Sequence, residues 1–475
     1  MNIRKAGAVA ICAILSLSTA QIQAQSYTVV ATGQTKSYNI DGEVMTTKKG
    51  KALYGQDADY QAGPAMSFKD NGDGTVSDLN TGLEWQQIPT PQGMTWAEAK
   101  AYCESLELGG HSDWRLPTLK ELFSISNFSA GWPYIDTNYF KLSSEQVSKD
   151  EQYWADNMYA GETVEGHNNA AFGVNHVTGH IKAYPAGGNR GGGERGEQGE
   201  QRQQRPQGQR PEGADSTMRR QPPMMAGGEQ GQHRQQRPEG ADSTMRRQPP
   251  MMAGREQRTQ GEQSQQRPQG QQRPQMGGQG GNGGQGGAPM MNNPMAKQVR
   301  AVRGEVYGIN QFVDNADGTI TDKATGLMWS KGDNGKGIEW HEALEYAENS
   351  KLAGYKDWRL PNIKELQSIA DYTRAPSSKG VEAAMDPIFT NTPYVNEAGD
   401  DDFGYCWSST SACFRKDSPF YFAWYLAVGR AVNNAGKDMH GAGAVRFDSK
   451  SDNGLEVEGG EERYYNFVRL VRTAK

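Results

Sequence analysis

The chain has 475 residues, of which only 35% are hydrophobic and 59 are glycine. That mixture is too polar for one uniformly packed globule, so some part of the chain lacks the apolar surface to bury a core. The net charge of −6 at pH 7 gives no reason to expect specific nucleic-acid binding.

Residues 1–24 read as a secretory leader. Arg4 and Lys5 precede an apolar run over 6–17 that is too short to span a bilayer comfortably, and small residues follow, with cleavage expected after Ala20 or Ala24. No later stretch approaches a transmembrane helix. An exported protein is expected, in a periplasm, at a cell surface or in the medium.

The string "DNGDGTVSD" from Asp70 reads as a tight turn entering a strand. Its carboxylates suggest a calcium loop, but Gly72 and Gly74 interrupt the alternating ligand positions and the bidentate Glu is absent. "TWAEAKAYCESL" predicts an amphipathic helix with a capping box between Thr95 and Glu98, and with Trp96, Ala99, Tyr102, Cys103 and Leu106 on one face. In "SDWRLPTLKEL", Pro117 suits the first helical position, and Leu119, Leu122 and Ile125 face a core. Trp114 is expected to be mostly buried, and Arg115 has Asp113 and Glu121 within reach as partners. No adjacent base and nucleophile accompany that arginine, so the motif reads as a strand-to-helix hinge. Farther on, Trp132, Tyr134 and Tyr139 are candidates either to stack on sugar faces or to pack their own loops. His176 and His180 flank a Thr-Gly turn, and metal ligation by them is not favoured.

Residues 186–297 are Gln, Gly, Arg, Pro and Met with almost no aliphatic or aromatic side chains, and they contain an internal repeat of "QQRPEGADSTMRRQPPMMAG". Such a composition cannot offset the entropy of ordering, so a disordered insertion is expected. Arginines outnumber acids there. The segment reads as a solvated spacer or as a basic arm that gathers polyanions.

Past the insertion the first region recurs. "DNADGTITD", "TGLMW", the helix begun by Trp340, and "KDWRLPNIKEL" match their counterparts at a constant offset, with no gap needed from Asp70 to Leu122. About half the positions are identical, the mark of an internal domain repeat. Ala347 stands where Cys103 stands in the first copy, so that cysteine need only be small and apolar. The second copy closes with "FVRLVR", whereas in the first the matching "QVRAVRG" appears only at 298–304. The expected organisation is therefore a first domain over 27–185 plus 298–304, interrupted by the insertion, and a second over 305–475.

The second copy also has a Gly-rich loop over 429–452. Asp438, Asp448 and Asp452 there are candidate calcium ligands, and Asn433, Asn434, His440 and Arg446 candidate binding residues. An ordinary surface loop is the competing reading. Of the 4 cysteines, Cys12 lies in the leader, and Cys406 and Cys413 are close enough to form a disulfide if a turn lies between them.

Taken together, DNGDGTV, TGL-x-W, the W-x-x-A helix, DWRLP-x-x-KEL, Tyr-Trp or Tyr-Cys-Trp-Ser-Ser, and the terminal VR-x-VR resemble the Lcl C-terminal domain family, which closes certain bacterial collagen-like adhesins. The resemblance implies an α+β fold: two C-type-lectin-like domains, each with two helices and small antiparallel sheets, their terminal strands paired. It also implies exported or surface proteins, some associated with sulfated glycosaminoglycans. The Glu-Pro-Asn and Trp-Asn-Asp strings of calcium-dependent sugar-binding lectins are missing, and Trp407-Ser408-Ser409 and Trp154-Ala155-Asp156 stand where the latter would fall. The expected function is a non-catalytic, adhesin-like binder of glycans or other polyanions. The alternatives are an envelope scaffold and an oxidase like the formylglycine-generating enzymes, which would need Cys406 and Cys413 as a reactive pair.

Overall fold

The computed structural model describes residues 26–187 and 295–474, apart from positions 146, 378 and 453–462. The expected leader, and all of the insertion except its ends at 186–187 and 295–297, lie outside the described residues.

Helices begin where the sequence supplies caps. They are α1 (Asp57–Tyr60), α2 (Trp96–Ser105), α3 (Leu119–Ser124), α4 (Trp340–Asn349) and α5 (Ile363–Ser368). The N-caps of α2, α3 and α5 are Thr95, Thr118 and Asn362, each paired with a Glu three residues on in a reciprocal capping box. Pro117 and Pro361 therefore sit just outside their helices rather than at the first position. Their carbonyls accept instead from Asp156 N–H at 2.8 Å and Ser409 N–H at 2.8 Å.

Each repeat folds a four-stranded antiparallel sheet. In the first, Phe68–Asp70, Thr75–Asp78 and Glu84–Gln86 are closed by Val302–Arg303, with Trp85 opposite Val302. In the second, Phe312–Asp314, Thr319–Asp322 and Leu327–Ser330 are closed by Val471–Thr473, with Trp329 opposite Val471. The strand that closes the first sheet thus arrives from the far side of the insertion.

Two small two-stranded sheets stand apart, Ser37–Tyr38 with Val44–Met45 and Pro393–Val395 with Asp401–Phe403, but the other strands depart from the expectation of small, separate sheets. Gln152–Met158, Ala170–Asn175 and Ile181–Pro185 of the first repeat join Val445–Ser449, Phe422–Ala427 and Tyr405–Ala412 of the second in one six-stranded sheet. The junction places Val445 opposite Ile181. Both repeats fall within one compact unit and share a hydrophobic core that includes Phe128, Tyr134, Phe172, Tyr372, Phe422 and Trp424. The architecture is richer in sheet than two helices per repeat suggested. Among the described residues, no helix is long and apolar enough to cross a membrane.

The segment before the first repeat packs on both copies. Asp57, fully enclosed at the start of α1, accepts from Thr32 Oγ1 at 2.7 Å and from Thr410 Oγ1 at 2.6 Å. Gln34 exchanges hydrogen bonds with the main chain of Ser411, at 2.8 and 3.0 Å, so the segment ahead of the first repeat is stitched to the strand Tyr405–Ala412 at one edge of the six-stranded sheet.

Candidate functional site

The duplicated WRLP motif is occupied by structural work. Arg115 makes a bidentate pair with Glu121, and Arg359 with Glu365, at 2.6–2.7 Å. Each glutamate also caps its helix, accepting from the N–H of Thr118 or Asn362. The aspartates go elsewhere: Asp113 binds Arg303, and Asp357 binds Arg472. One further arginine per repeat is entirely buried. Arg300 donates to the carbonyls of Gln86, Gln87 and Lys141, and Arg469 to those of Ser330, Lys331 and Thr390. These arginines hold the returning strand against its sheet: their terminal nitrogens donate to main-chain oxygens and, from Arg469, also to Asn391 Oδ1.

The 429–452 loop does not assemble an ion site. Asp438 accepts from Tyr159 Oη at 2.6 Å through one oxygen and from the N–H of Gly441 at 2.8 Å through the other. Asp448 accepts from Asn466 at 3.1 Å, while Asp452 is exposed at the end of the described loop. Among the described residues, no three His, Cys, Asp or Glu side chains gather as a metal site. Asn433 closes a turn by accepting from Ala435 and Lys437, and Asn434 is exposed. His440 is buried, and its carbonyl accepts from Ala183 N–H at 2.8 Å. Arg446 lies in the strand Val445–Ser449, opposite Tyr425. The proposed calcium ligands are thus dispersed, and the loop docks one repeat on the other. Burial raises the Asp438 pKa to about 6, and its hydrogen bonds from Tyr159 and the Gly441 main chain oppose that rise.

The expected disulfide is also corrected. Cys406 and Cys413 are free thiols near opposite ends of the strand Tyr405–Ala412. Seven residues of extended chain separate their Cα atoms by roughly 20 Å, far beyond the reach of a disulfide. Burial pushes the Cys406 thiol up to about 12 and raises that of Cys413. His176 is buried beside Tyr153 and His180 is half-buried between Trp424 and Phe447, and desolvation holds both well below the usual histidine pKa.

A cleft of about 400 Å³ opens where the segment over 31–67 crosses the first repeat. Gly33 lies at its base with φ of +86°, and a Cβ there would come within 2.9 Å of Asn127 Oδ1. That oxygen accepts from Ser129 N–H at 2.9 Å, and among the described residues the Asn127 amide nitrogen donates no hydrogen bond. Gln61, Asp136 and the half-buried rings of Phe68 and Tyr139 complete the lining used here, the two rings 5.6 Å apart. The cleft is polar, has no basic side chain in its wall, and includes two aromatic rings. Tyr134, in contrast, is fully buried between Phe128 and Trp424 and is closed to any ligand.

The sequence profile of the Lcl C-terminal domain matches residues 74–191 and 318–455, more than half of the chain. The chain belongs to the Lcl C-terminal domain family. No curated protein and no solved structure matches it. The two Lcl C-terminal domains share their arginine locks, but the cleft is built on the first alone, because the segment over 31–67 supplies one of its walls. Sequence reasoning missed it: Gly33, Gln61 and Asn127 belong to no motif, and only Tyr139 had been singled out among its rings.

Proposed function

We propose that this is an exported, non-catalytic binding protein of the bacterial envelope or surface that recognises glycans. The observation that carries the reading is the cleft beside Gly33, where a free amide, a carboxylate and half-buried aromatic rings converge in a volume suited to one or two sugar units. Amides and carboxylates hydrogen-bond hydroxyls, and rings cover the apolar faces of pyranoses. Two helices in each repeat support the C-type-lectin-like fold that the family implies, as does the last strand's return to the sheet of the first, although it pairs with the third strand of that sheet and not with the first. The separation and burial of Cys406 and Cys413 argue against oxidase chemistry, which needs an accessible thiolate.

The arginine surplus of residues 188–294 favours a second mode, in which that segment attracts sulfated or phosphorylated polymers. A glycan array that includes neutral and sulfated polysaccharides, probed with the full chain, N127A and a version lacking 188–294, separates the two. Neutral-glycan binding that survives EDTA and is lost in N127A supports the cleft. Salt-sensitive binding lost only with the deletion moves recognition to the basic segment. No binding to any arrayed glycan overturns the reading and favours a scaffolding role.

A further inference from the structure

Lys120, Asn310 and Asp322 form a chain of polar contacts across the junction of the two repeats. The Lys120 amine donates to Asn310 Oδ1 at 2.6 Å and to the main-chain oxygen of Gly308 at 3.1 Å. The other end of the same amide, Asn310 Nδ2, donates to Asp322 Oδ2 at 2.8 Å and to the Tyr27 hydroxyl at 2.9 Å. Asp322 is fully buried at the end of the strand Thr319–Asp322. The N–H groups of Gln311 and Ala324 donate to its Oδ1 at 2.8 and 3.1 Å, which fixes the carboxylate against the amide.

The duplication supplies a control within the chain. The first-repeat counterparts of Asn310 and Asp322 are Met66 and Asp78, and the counterpart of Lys120 is Lys364. The fold makes the same exchange at that sister site, with Lys364 Nζ 3.3 Å from Met66 Sδ. Each repeat thus extends the lysine of its KEL string to the residue two positions ahead of the other's first sheet strand. Met66 has no electrophilic carbon. Asn310 places one against the amine.

An amine on one side of a carboxamide, with a buried carboxylate on its leaving nitrogen, is an arrangement for amide exchange. A carbonyl bond is about 1.2 Å long, so Nζ lies within about 4 Å of the amide carbon, near the separation of a reacting pair. Burial lowers the Lys120 pKa to about 8, with Asp322 and Asp371 opposing the shift. About a tenth of the amine is then neutral and nucleophilic at pH 7.

We propose that Lys120 and Asn310 form an intramolecular isopeptide bond that joins the two repeats covalently. The neutral amine adds its lone pair to Asn310 Cγ, and the carbonyl pair moves onto Oδ1. One proton passes from the attacking nitrogen to Nδ2 through the Asp322 carboxylate. The Cγ–Nδ2 bond breaks with its pair on nitrogen, ammonia leaves, and the carbonyl re-forms. Asp322 ends as it began, and no oxidant or other reactant is consumed. The crevice of about 310 Å³ that Lys120 and Asn310 both line lets the ammonia out. The two residues are 190 positions apart, so the bond closes a loop that contains the whole insertion.

The test is mass spectrometry of the full chain, intact and after trypsin. The intact protein should be lighter than its sequence by one ammonia. The digest should contain a branched peptide joining 116–141 to 304–323, with no cleavage after Lys120. N310M, which copies the sister site, and D322N should both lose the branched peptide, whereas M66L should keep it. A second measurement needs none of these variants. A chain cut at a protease site introduced within 188–294 should run as one species on a reducing, denaturing gel. A digest with cleavage after Lys120 and an intact Asn310 overturns the proposal, as do halves that separate on the gel. An ammonia deficit that survives N310M belongs to another residue and overturns it too, and a branched peptide in D322N removes Asp322 from the proton path.

Discussion

Lys364 Nζ donates to the main-chain oxygen of Ser124 at 2.7 Å, tying the second WRLP helix to the first. Its counterpart Lys120 donates in the other direction, to Asn310 Oδ1 at 2.6 Å, and Asn310 in turn donates to Asp322. The helices α3 and α5 pack together, and both lysines border one small enclosed space with Tyr27 and Tyr307. The lysine of each KEL string is therefore an inter-repeat contact, which explains why arginine, lysine and glutamate recur together. The motif locks each repeat internally and then joins it to the other.

Burial lowers the Lys364 pKa to about 7, with Asp78 and Asp57 opposing the shift. Its unfolded value is about 10.4, so between these limits the unfolded chain binds more protons and stability rises with pH. Relative to K364M, the wild-type protein should gain on the order of 4 kcal/mol from about pH 7 to pH 10. Urea denaturation of both proteins across that range measures the difference. A constant gap would show that Lys364 is solvated in the native state.

Asp438 behaves with the opposite sign. Its folded pKa of about 6 lies above the ordinary carboxylate value, so the native state holds the proton longer and stability falls as pH rises between about 4 and 6. D438N should remove that part of the slope, on the order of 2–3 kcal/mol across the window. Y159F, which deletes a donor to Asp438 and an acceptor for Ala442 N–H, should cost about 1–3 kcal/mol at neutral pH. Thermal unfolding at pH 4, 5, 6 and 7 checks both.

Arg359 and Glu365 form a bidentate pair in which both side chains are nearly enclosed, whereas Arg115 retains 29% side-chain exposure. R359A leaves a buried carboxylate without its partner and should destabilise the protein by about 3–5 kcal/mol. R115A should cost less, because water reaches its site. Equal losses in chemical denaturation would contradict the exposure argument.

Cys103, Cys406 and Cys413 are all buried free thiols. In the native full chain none should react with a thiol reagent on the timescale of minutes, and all three should react after denaturation. Reductant should leave the Tm unchanged. A Tm that falls on reduction would restore the disulfide reading.

The sequence by itself determined the duplication, the interruption of the first repeat, the Thr95–Glu98 capping box and the arginine-bearing returning strands, while the caps Thr118 and Asn362 came only from the structure. Those features depend on local capping and on pairings repeated at one fixed offset, so each copy exposes the logic of the other. Only the tertiary structure decided where the two copies meet. Tyr159 and Asp438 are 279 positions apart and share no periodicity, yet they occupy one hydrogen bond across the junction. The same loop composition, rich in Asn, Asp and Gly, suits an exposed ion site or a buried docking turn. What separates them is burial: once Asp438 and His440 are removed from water, their polar groups must find partners in the other repeat. The segment over 31–67 is the second such case. Its strings carry no motif, but by crossing both repeats it walls the polar cleft beside Gly33, and that wall does not exist until the chain is folded.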